Sequence, residues 1–441
     1  MNTKVSSGGT PSLGRELWRR FPPLLLGFCA TQLSLQLDMV MMAQLGGMAP
    51  AAYLALSRVA SLEIMAMMAI GSVTSVRIGR LAGRCEDGIE TEEIANSLGL
   101  AIFCGLTFLI LGMAGYSHAL VWLSGNSETT RLAQTAVCAY CAAAPLRFFS
   151  NSASFALHAL GMGRKIALWR FFEVVLRAGS TYACLFLFHW GFPGSFLAAA
   201  VIAVFPALWY WRWLKYLGNG TISWPSRMWL GGFLRQAGWE GKRMLSAQLF
   251  AVAGFSLFSA HVVVTQSEST LNAYAAGLTM TIFLFMPLLA LMRALALALS
   301  LFPHADARPF LRRLAGWGMP VVCFCAMALY CGGDRLGQLA YGQSGPWWQD
   351  QIKLAALSLP IRYLTNIQRA RRQAEQQFRK TALVDIFALW GIGLPGLYFG
   401  LAWNNPMVAF SPILVPEIVA LGLLGFSWHH RPFRSVESGI R

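Results

Sequence analysis

The chain has 441 residues, 56% of them hydrophobic and only 12% charged, with a mean hydropathy of +0.52. A soluble domain carries roughly 25% charged residues, so this composition excludes one and predicts an integral membrane protein. The formal net charge of +16 could suit nucleic acid, but most Arg and Lys sit in short loops between apolar segments. There they set topology and meet anionic lipid, so the expected partners are a lipid bilayer and a small molecule, not nucleic acid.

Residues 1–20 form a polar, Gly/Ser-containing tail ending in RELWRR, without the apolar core and cleavage site of a removable signal peptide. A membrane span needs about 20 apolar residues. That rule predicts twelve spans, at 21–45, 51–79, 95–123, 131–160, 166–188, 193–216, 235–263, 270–302, 314–333, 350–372, 380–401 and 407–428. The connections alternate between basic ones, such as 77–93 and Arg164-Lys165, and ones nearly free of Lys and Arg, such as SGNSETT, TQSEST and AWNNP. Positive loops face the cytoplasm, which places both termini there in a multi-pass protein of the plasma (inner) membrane. The longest basic connection, 217–234, lies near the middle of the chain and divides it into bundles 21–216 and 235–428, with a tail at 429–441.

An internal repeat agrees with that division. APLRFFSN, from Ala144 to Asn151, matches LPIRYLTN, from Leu359 to Asn366, through Pro145/Pro360, Arg147/Arg362, Phe148/Tyr363 and Asn151/Asn366. The offset of 215 residues also aligns Arg164-Lys165 with Arg379-Lys380. Repeated membrane halves are a transporter feature, with the substrate site at the repeat interface. Each half has an even number of spans, so the repeat is parallel. Pro145 and Pro360 are expected to open their helices.

Few side chains carry chemistry. Asp38 lies well inside the first apolar segment, where a charge must pair, face water or bind a proton or cation. Ser34, four residues earlier, shares its helix face. Glu63 lies in the second span with Arg58 near its end, and Glu173 sits between Arg170 and Arg177 at ion-pair spacing. Arg147 and Arg362 occupy equivalent places in the two halves. Their guanidinium forks could converge on a cavity and bind an anion, or pair with Glu63, Asp38 or helix carbonyls. Cys138 and Cys141 have CxxC spacing without a second pair or a His cluster, and read as small buried side chains. No phosphate-binding loop and no nucleophile–base or metal constellation is seen, so active transport would be gradient-driven and no enzyme is expected.

Asp38-Met-Val-Met-Met-Ala-Gln-Leu-Gly followed by Ala51-Ala52 resembles the first-helix signature of the multidrug and toxic compound extrusion (MATE) transporters. GRLAGRCED at 79–87, Pro145 with Ala159-Leu-Gly-Met-Gly-Arg164, and Gly191-Phe-Pro-Gly194 resemble further landmarks of that family in order. The resemblance implies an all-α membrane fold of two pseudo-symmetric six-helix bundles, a central cavity, and alternating access driven by Na⁺ or H⁺. It also exposes departures. Gln248 stands where the Na⁺-coupled branch has a Glu in helix seven, and Asn366 where it has an Asp in helix ten. Neutral amides keep hydrogen-bonding capacity but cannot exchange a proton.

The expected protein is therefore a MATE-like secondary active exporter of small organic molecules, working as a monomer without a cofactor beyond H⁺ or Na⁺. Its ion-coupling residues would be Asp38, Ser34 and Glu63. Its substrate cavity would include Arg147, Asn151, Gln248, Arg362 and Asn366. The alternatives are an exporter of an organic anion such as a carboxylate or siderophore, a lipid-linked precursor flippase, and a non-transporting receptor or assembly partner.

Overall fold

In the computed structural model the described residues are 13–45, 49–83, 89–124, 127–265, 268–302, 307–341 and 345–425. Most of the N-terminal tail, the C-terminal tail 429–441, Gly46-Gly47 and residues 84–87 of the GRLAGRCED loop lie outside them. The described residues fold into twelve helical runs. The first three are α1 (Leu13–Leu45), α2 (Ala49–Gly83) and α3 (Ile89–Ser124). The fourth bends between α4 (Ser127–Ala142) and α5 (Ala144–Ala159), and the fifth is α6 (Gly163–Tyr182) with a π-helical end at Ala183–Leu187. Next come α7 (Gly191–Tyr216), α8 (Arg227–Thr265), α9 (Glu268–Ser300), α10 (Arg308–Tyr341) and α11 (Pro346–Ala374). The eleventh run joins α12 (Phe378–Ile386), a π-helical stretch Phe387–Gly393 and α13 (Leu394–Ala402). The twelfth is broken into α14 (Pro406–Ala409), a 3₁₀ turn Ser411–Ile413 and α15 (Val415–Gly425).

By length and composition, eight described helices can cross a membrane, or nine with the bent α4–α5 pair. The three remaining runs are α6, α8 and α11. Charges interrupt α6 at Arg170, Glu173 and Arg177 and α11 at Arg362 and Arg369, whereas in α8 Glu240, Lys242 and Arg243 precede a stretch, 244–265, free of Asp, Glu, Lys and Arg.

Contacts divide the chain into two compact units, Pro22–Gly241 and Met1–Phe21 with Lys242–Arg441. The first unit's core gathers Met42 of α1, Leu56 of α2, Leu120 of α3, Val137 of α4 and Phe192 of α7. α3 packs closely on the α4–α5 elbow because Gly105 has no side chain. A Cβ there would stand 2.5 Å from Cα of Pro145. The bend is 53° and falls just before Pro145, which takes the N-terminal turn of α5, where its missing N–H costs nothing. Pro360, its repeat mate, lies inside an unbroken α11, packed against α9 and α10, so only one of the two prolines interrupts its helix.

Residues 217–226 leave the helix and lie along the start of α3. Asn219 Oδ1 accepts from Thr91 at 2.7 Å, and Ser223 Oγ lies 2.6 Å from Asn96 Oδ1. Trp229 Nε1 then donates to Glu93 at 2.6 Å, so the start of α8 belongs to the first unit. In the second unit α11 is the centre, packed on α9, α10 and α15. Phe258, Tyr274 and Phe410 stack nearby, with Phe258 and Tyr274 at 4.1 Å between centroids. π-helical turns occur in the fifth run of each half, a shared feature that composition does not signal.

Candidate functional site

Asp38 is 3% exposed on α1. Its Oδ2 accepts from Arg177 Nη2 at 2.6 Å and from the Tyr53 hydroxyl at 3.1 Å. Three helices, α1, α2 and α6, thus meet on one carboxylate oxygen. Ser34 is buried one turn before Asp38 and lines a cavity of about 70 Å³ with Ala30, Thr31, Arg170, Glu173 and Arg177. Arg170 donates to Glu173 at 3.2 Å, the helical pair that the spacing predicts. Arg177, the other neighbour of Glu173 in sequence, is directed to Asp38 instead.

Glu63 on α2 is 1% exposed and holds Arg147 of α5 in a two-pronged pair, Nε to Oε1 at 2.7 Å and Nη2 to Oε2 at 2.9 Å. The guanidinium of Arg147 also lies 4.0 Å from the Tyr140 ring centroid. Such a fork satisfies both carboxylate oxygens and balances two charges that would be costly apart. Asn151 donates to the Met67 carbonyl at 2.9 Å.

The second unit holds a longer array. Arg369 of α11 bonds Asp385 of α12 through Nε (3.2 Å to either oxygen) and Nη2 (2.8 Å). Its Nη1 reaches Glu417 Oε2 of α15 at 3.0 Å and Asn366 Oδ1 at 3.1 Å. Arg362 meets the other oxygen of Glu417 at 2.8 Å, with its guanidinium 3.7 Å from the Phe285 ring centroid. Arg243 of α8 lies 3.4 Å from Asp385. Arg243, Asp385, Arg369, Glu417 and Arg362 therefore alternate in sign through four helices. The unit also has an apolar cavity of about 620 Å³, between α8 and the α12–α13 run, lined by Leu257, Trp390, Tyr398 and Phe399.

The site residues expected from sequence thus fall into separate groups. Asp38 and Ser34 share one, Glu63 and Arg147 another, and Arg362 with Asn366 a third. Gln248 is exposed on α8. Arg147 and Arg362 each face a carboxylate of their own unit. Tyr53, Asp385 and Glu417 were not among the expected residues. Asp385 in ALVDIFAL and Glu417 in LVPEIVAL are single acids in apolar runs, so the rule that singles out Asp38 singles them out too.

The family model MatE matches residues 23–183. Among curated proteins no relative matches. Among solved structures, the chain is similar to a mutant of the Vibrio cholerae MATE transporter VcmN, with TM-score 0.86, 15% identity, and 95% of this chain and 96% of that one covered. Residues 23–183 thus match the MatE family model, and the chain as a whole has the fold of MATE transporters. A MOP superfamily transporter from Pyrococcus furiosus is also similar, at TM-score 0.83 and 17% identity over 94% and 95% of the two chains. So is an outward-facing multidrug resistance MATE family transporter, at 0.80 and 17% over 94% and 95%. At these identities the structures show the fold, a twelve-helix membrane transporter fold, and MATE proteins are transporters rather than enzymes. The matched MatE region contains Asp38, Glu63, Arg147 and Arg177 but ends before the array around Arg369.

Proposed function

We propose that the protein is a secondary active exporter of small organic molecules, working by alternating access and coupled to an ion gradient through Asp38. The observation that carries this reading is the buried Asp38 carboxylate, on which Arg177 and Tyr53 converge from two other helices. A proton on Asp38 would cancel the charge that holds Arg177, so loading and unloading would change contacts among α1, α2 and α6. H⁺ fits this role better than Na⁺. A sodium ion would have to share the carboxylate with the Arg177 guanidinium, a like charge, whereas a proton needs one lone pair. The alternation of basic loops supports a plasma-membrane protein with both termini in the cytoplasm, acting as a monomer on a small-molecule substrate.

A second reading, export of an organic anion, rests on a specific observation. Asp38, Glu63, Asp385 and Glu417 each face a guanidinium. A cationic substrate would have to displace one to reach a carboxylate, whereas an anion would meet the guanidinium directly. The Pyrococcus furiosus transporter is likewise described as having a binding pocket of reverse polarity, which suggests a different function for that protein.

The test is reconstitution in vesicles under an imposed pH gradient, an imposed Na⁺ gradient, or none, following the cation ethidium and the anion benzoate. Movement driven by pH and lost in Asp38→Asn is expected. If neither probe moves under any gradient, export is excluded. Gradient-driven movement that survives Asp38→Asn removes the coupling role.

A further inference from the structure

We propose that Arg362 and Arg369 form an oxyanion site that Glu417 occupies in the resting protein and vacates, protonated, for the carboxylate, sulfonate or phosphate group of a small organic anion. The inference rests on the anion reading above and gives it a place in the fold.

The two arginines are seven residues apart on α11, two turns along the same face. One carboxylate spans both, with Glu417 Oε1 at 2.8 Å from Arg362 and Oε2 at 3.0 Å from Arg369. Each guanidinium is fixed by something other than Glu417. Asp385 takes the Nε and Nη2 edge of Arg369, and the Phe285 ring lies against Arg362. The donors would therefore stay in place if Glu417 left. Glu417 also fits them incompletely. Nε of Arg362 is buried without an acceptor, and Glu417 Oε2 is close to Arg369 but poorly aligned for a hydrogen bond. An anion with two or three oxygens could satisfy donors that this carboxylate leaves open.

Glu417 is also placed to move. It sits in the first turn of α15, directly after Pro416, in a run broken into α14, a 3₁₀ turn and α15.

The charged groups around Glu417 set the sign of the coupling. α11 presents Arg362 and Arg369, α12 presents Asp385, and α8 adds Arg243 on the far side of Asp385. The π-helical stretch Phe387–Gly393 and the 3₁₀ turn Ser411–Ile413, which also pack on α15, contain no titratable residue. A proton taken onto Glu417 leaves two guanidiniums facing one remaining carboxylate, Asp385, and the incoming oxyanion restores the balance. One proton and one monoanion load together, so the loaded and empty sites carry the same charge. Return of the bare Glu417 to its arginines resets the site.

The test uses the full-length protein in lipid nanodiscs and benzoate as the probe, titrated calorimetrically from about pH 5.5 to about pH 8. The expected result is an affinity that weakens about tenfold per pH unit once Glu417 is ionised, with one proton taken up per benzoate bound. Glu417→Gln should bind benzoate with no pH dependence and no proton uptake. Arg362→Gln made in the Glu417→Gln background should weaken binding by about tenfold or more. Benzoate binding by the native protein without proton uptake overturns the proposal, and this arm needs no variant to fold. So does proton uptake that survives Glu417→Gln, or absence of binding in both the native protein and Glu417→Gln. Failure of benzoate to move in vesicles, with proton-linked binding intact, would instead count against export and leave the site standing.

Discussion

The two units solve the problem of buried charge in different ways. In the first, three buried acids each have their own guanidinium from another helix: Asp38 with Arg177, Glu63 with Arg147, Glu93 with Arg77. In the second, Arg369 serves Asp385, Glu417 and Asn366 together, and the neighbouring arginines extend the array. A one-to-one pair can open without disturbing the next pair. A shared guanidinium passes any change at one acid to the other, because strengthening one contact weakens its neighbour. The repeated arginines make the contrast sharpest. Arg147 takes its carboxylate from the second run of its half, whereas Arg362 takes Glu417 from the sixth run of its own. Both have an aromatic face, Tyr140 for one and Phe285 for the other. The repeat has kept the guanidinium but neither its acid nor its ring, because Tyr140 belongs to the same run as Arg147 whereas Phe285 comes from α9.

The largest expected effect comes from removing the shared group. Arg369→Met leaves Asp385 and Glu417 buried with one main partner fewer. Breaking a buried pair costs about 3–5 kcal/mol, and here two contacts break at once, so loss of the folded protein on size exclusion is expected. Arg147→Met strands only Glu63 and should sit at the lower end of that range. The double variant Glu63→Leu/Arg147→Met should recover most of the thermal stability, because an apolar replacement of a complete pair is often neutral. A double variant no better than Arg147→Met would show that this pair is not self-contained. No single partner replacement should rescue Arg369→Met, and rescue by Asp385→Leu alone would dissolve the distinction between the units.

Asp38→Asn comes next. The amide can still meet Tyr53 and Arg177, so thermal stability should fall by only about 1–3 kcal/mol. Gradient-driven transport should drop to background while exchange without a gradient persists. A uniform loss of both would make Asp38 a structural partner of Arg177 rather than a coupling group.

Much of this molecule could be read from its sequence, and the limits were physical. The twelve runs follow from apolar length together with the alternation of basic loops, which identified α6 and α11 even though their charges lower their hydropathy. Asp38 and the helical pair of Arg170 with Glu173 were legible because an isolated charge in an apolar run, or an i,i+3 spacing, is a local signal. The pairings of Arg177 with Asp38 and of Arg362 with Glu417 were not, because they join residues 139 and 55 positions apart (177 − 38 and 417 − 362) through tertiary packing. The two prolines show the same limit. Their sequence contexts match, yet only Pro145 stands at a bend, where Gly105 lets α3 come close. The π-helical turns left no compositional trace at all.

The smallest expected effect is also the most direct measure of the contrast. Tyr53→Phe removes one hydrogen bond to Asp38 and should cost about 0.5–1.5 kcal/mol. Asp38 and Glu63 share none of the hydrogen bonds or ion pairs described for them, so combining Tyr53→Phe with Glu63→Gln should be additive to within about 0.5 kcal/mol. The matching cycle in the second unit is Phe285→Leu with Asp385→Asn. Loss of the ring frees Arg362, whose hold on Glu417 then weakens, and Arg369 is drawn toward Glu417 just as its bond to Asp385 is being cut. The two changes act on one array, so their sum should deviate from additivity by about 0.5–3 kcal/mol. Equal coupling in both cycles, read from chemical or thermal unfolding, would mean that charges in the first unit communicate as freely as those around Arg369. Coupling confined to the second would identify the shared guanidinium as the feature that links one buried acid to another.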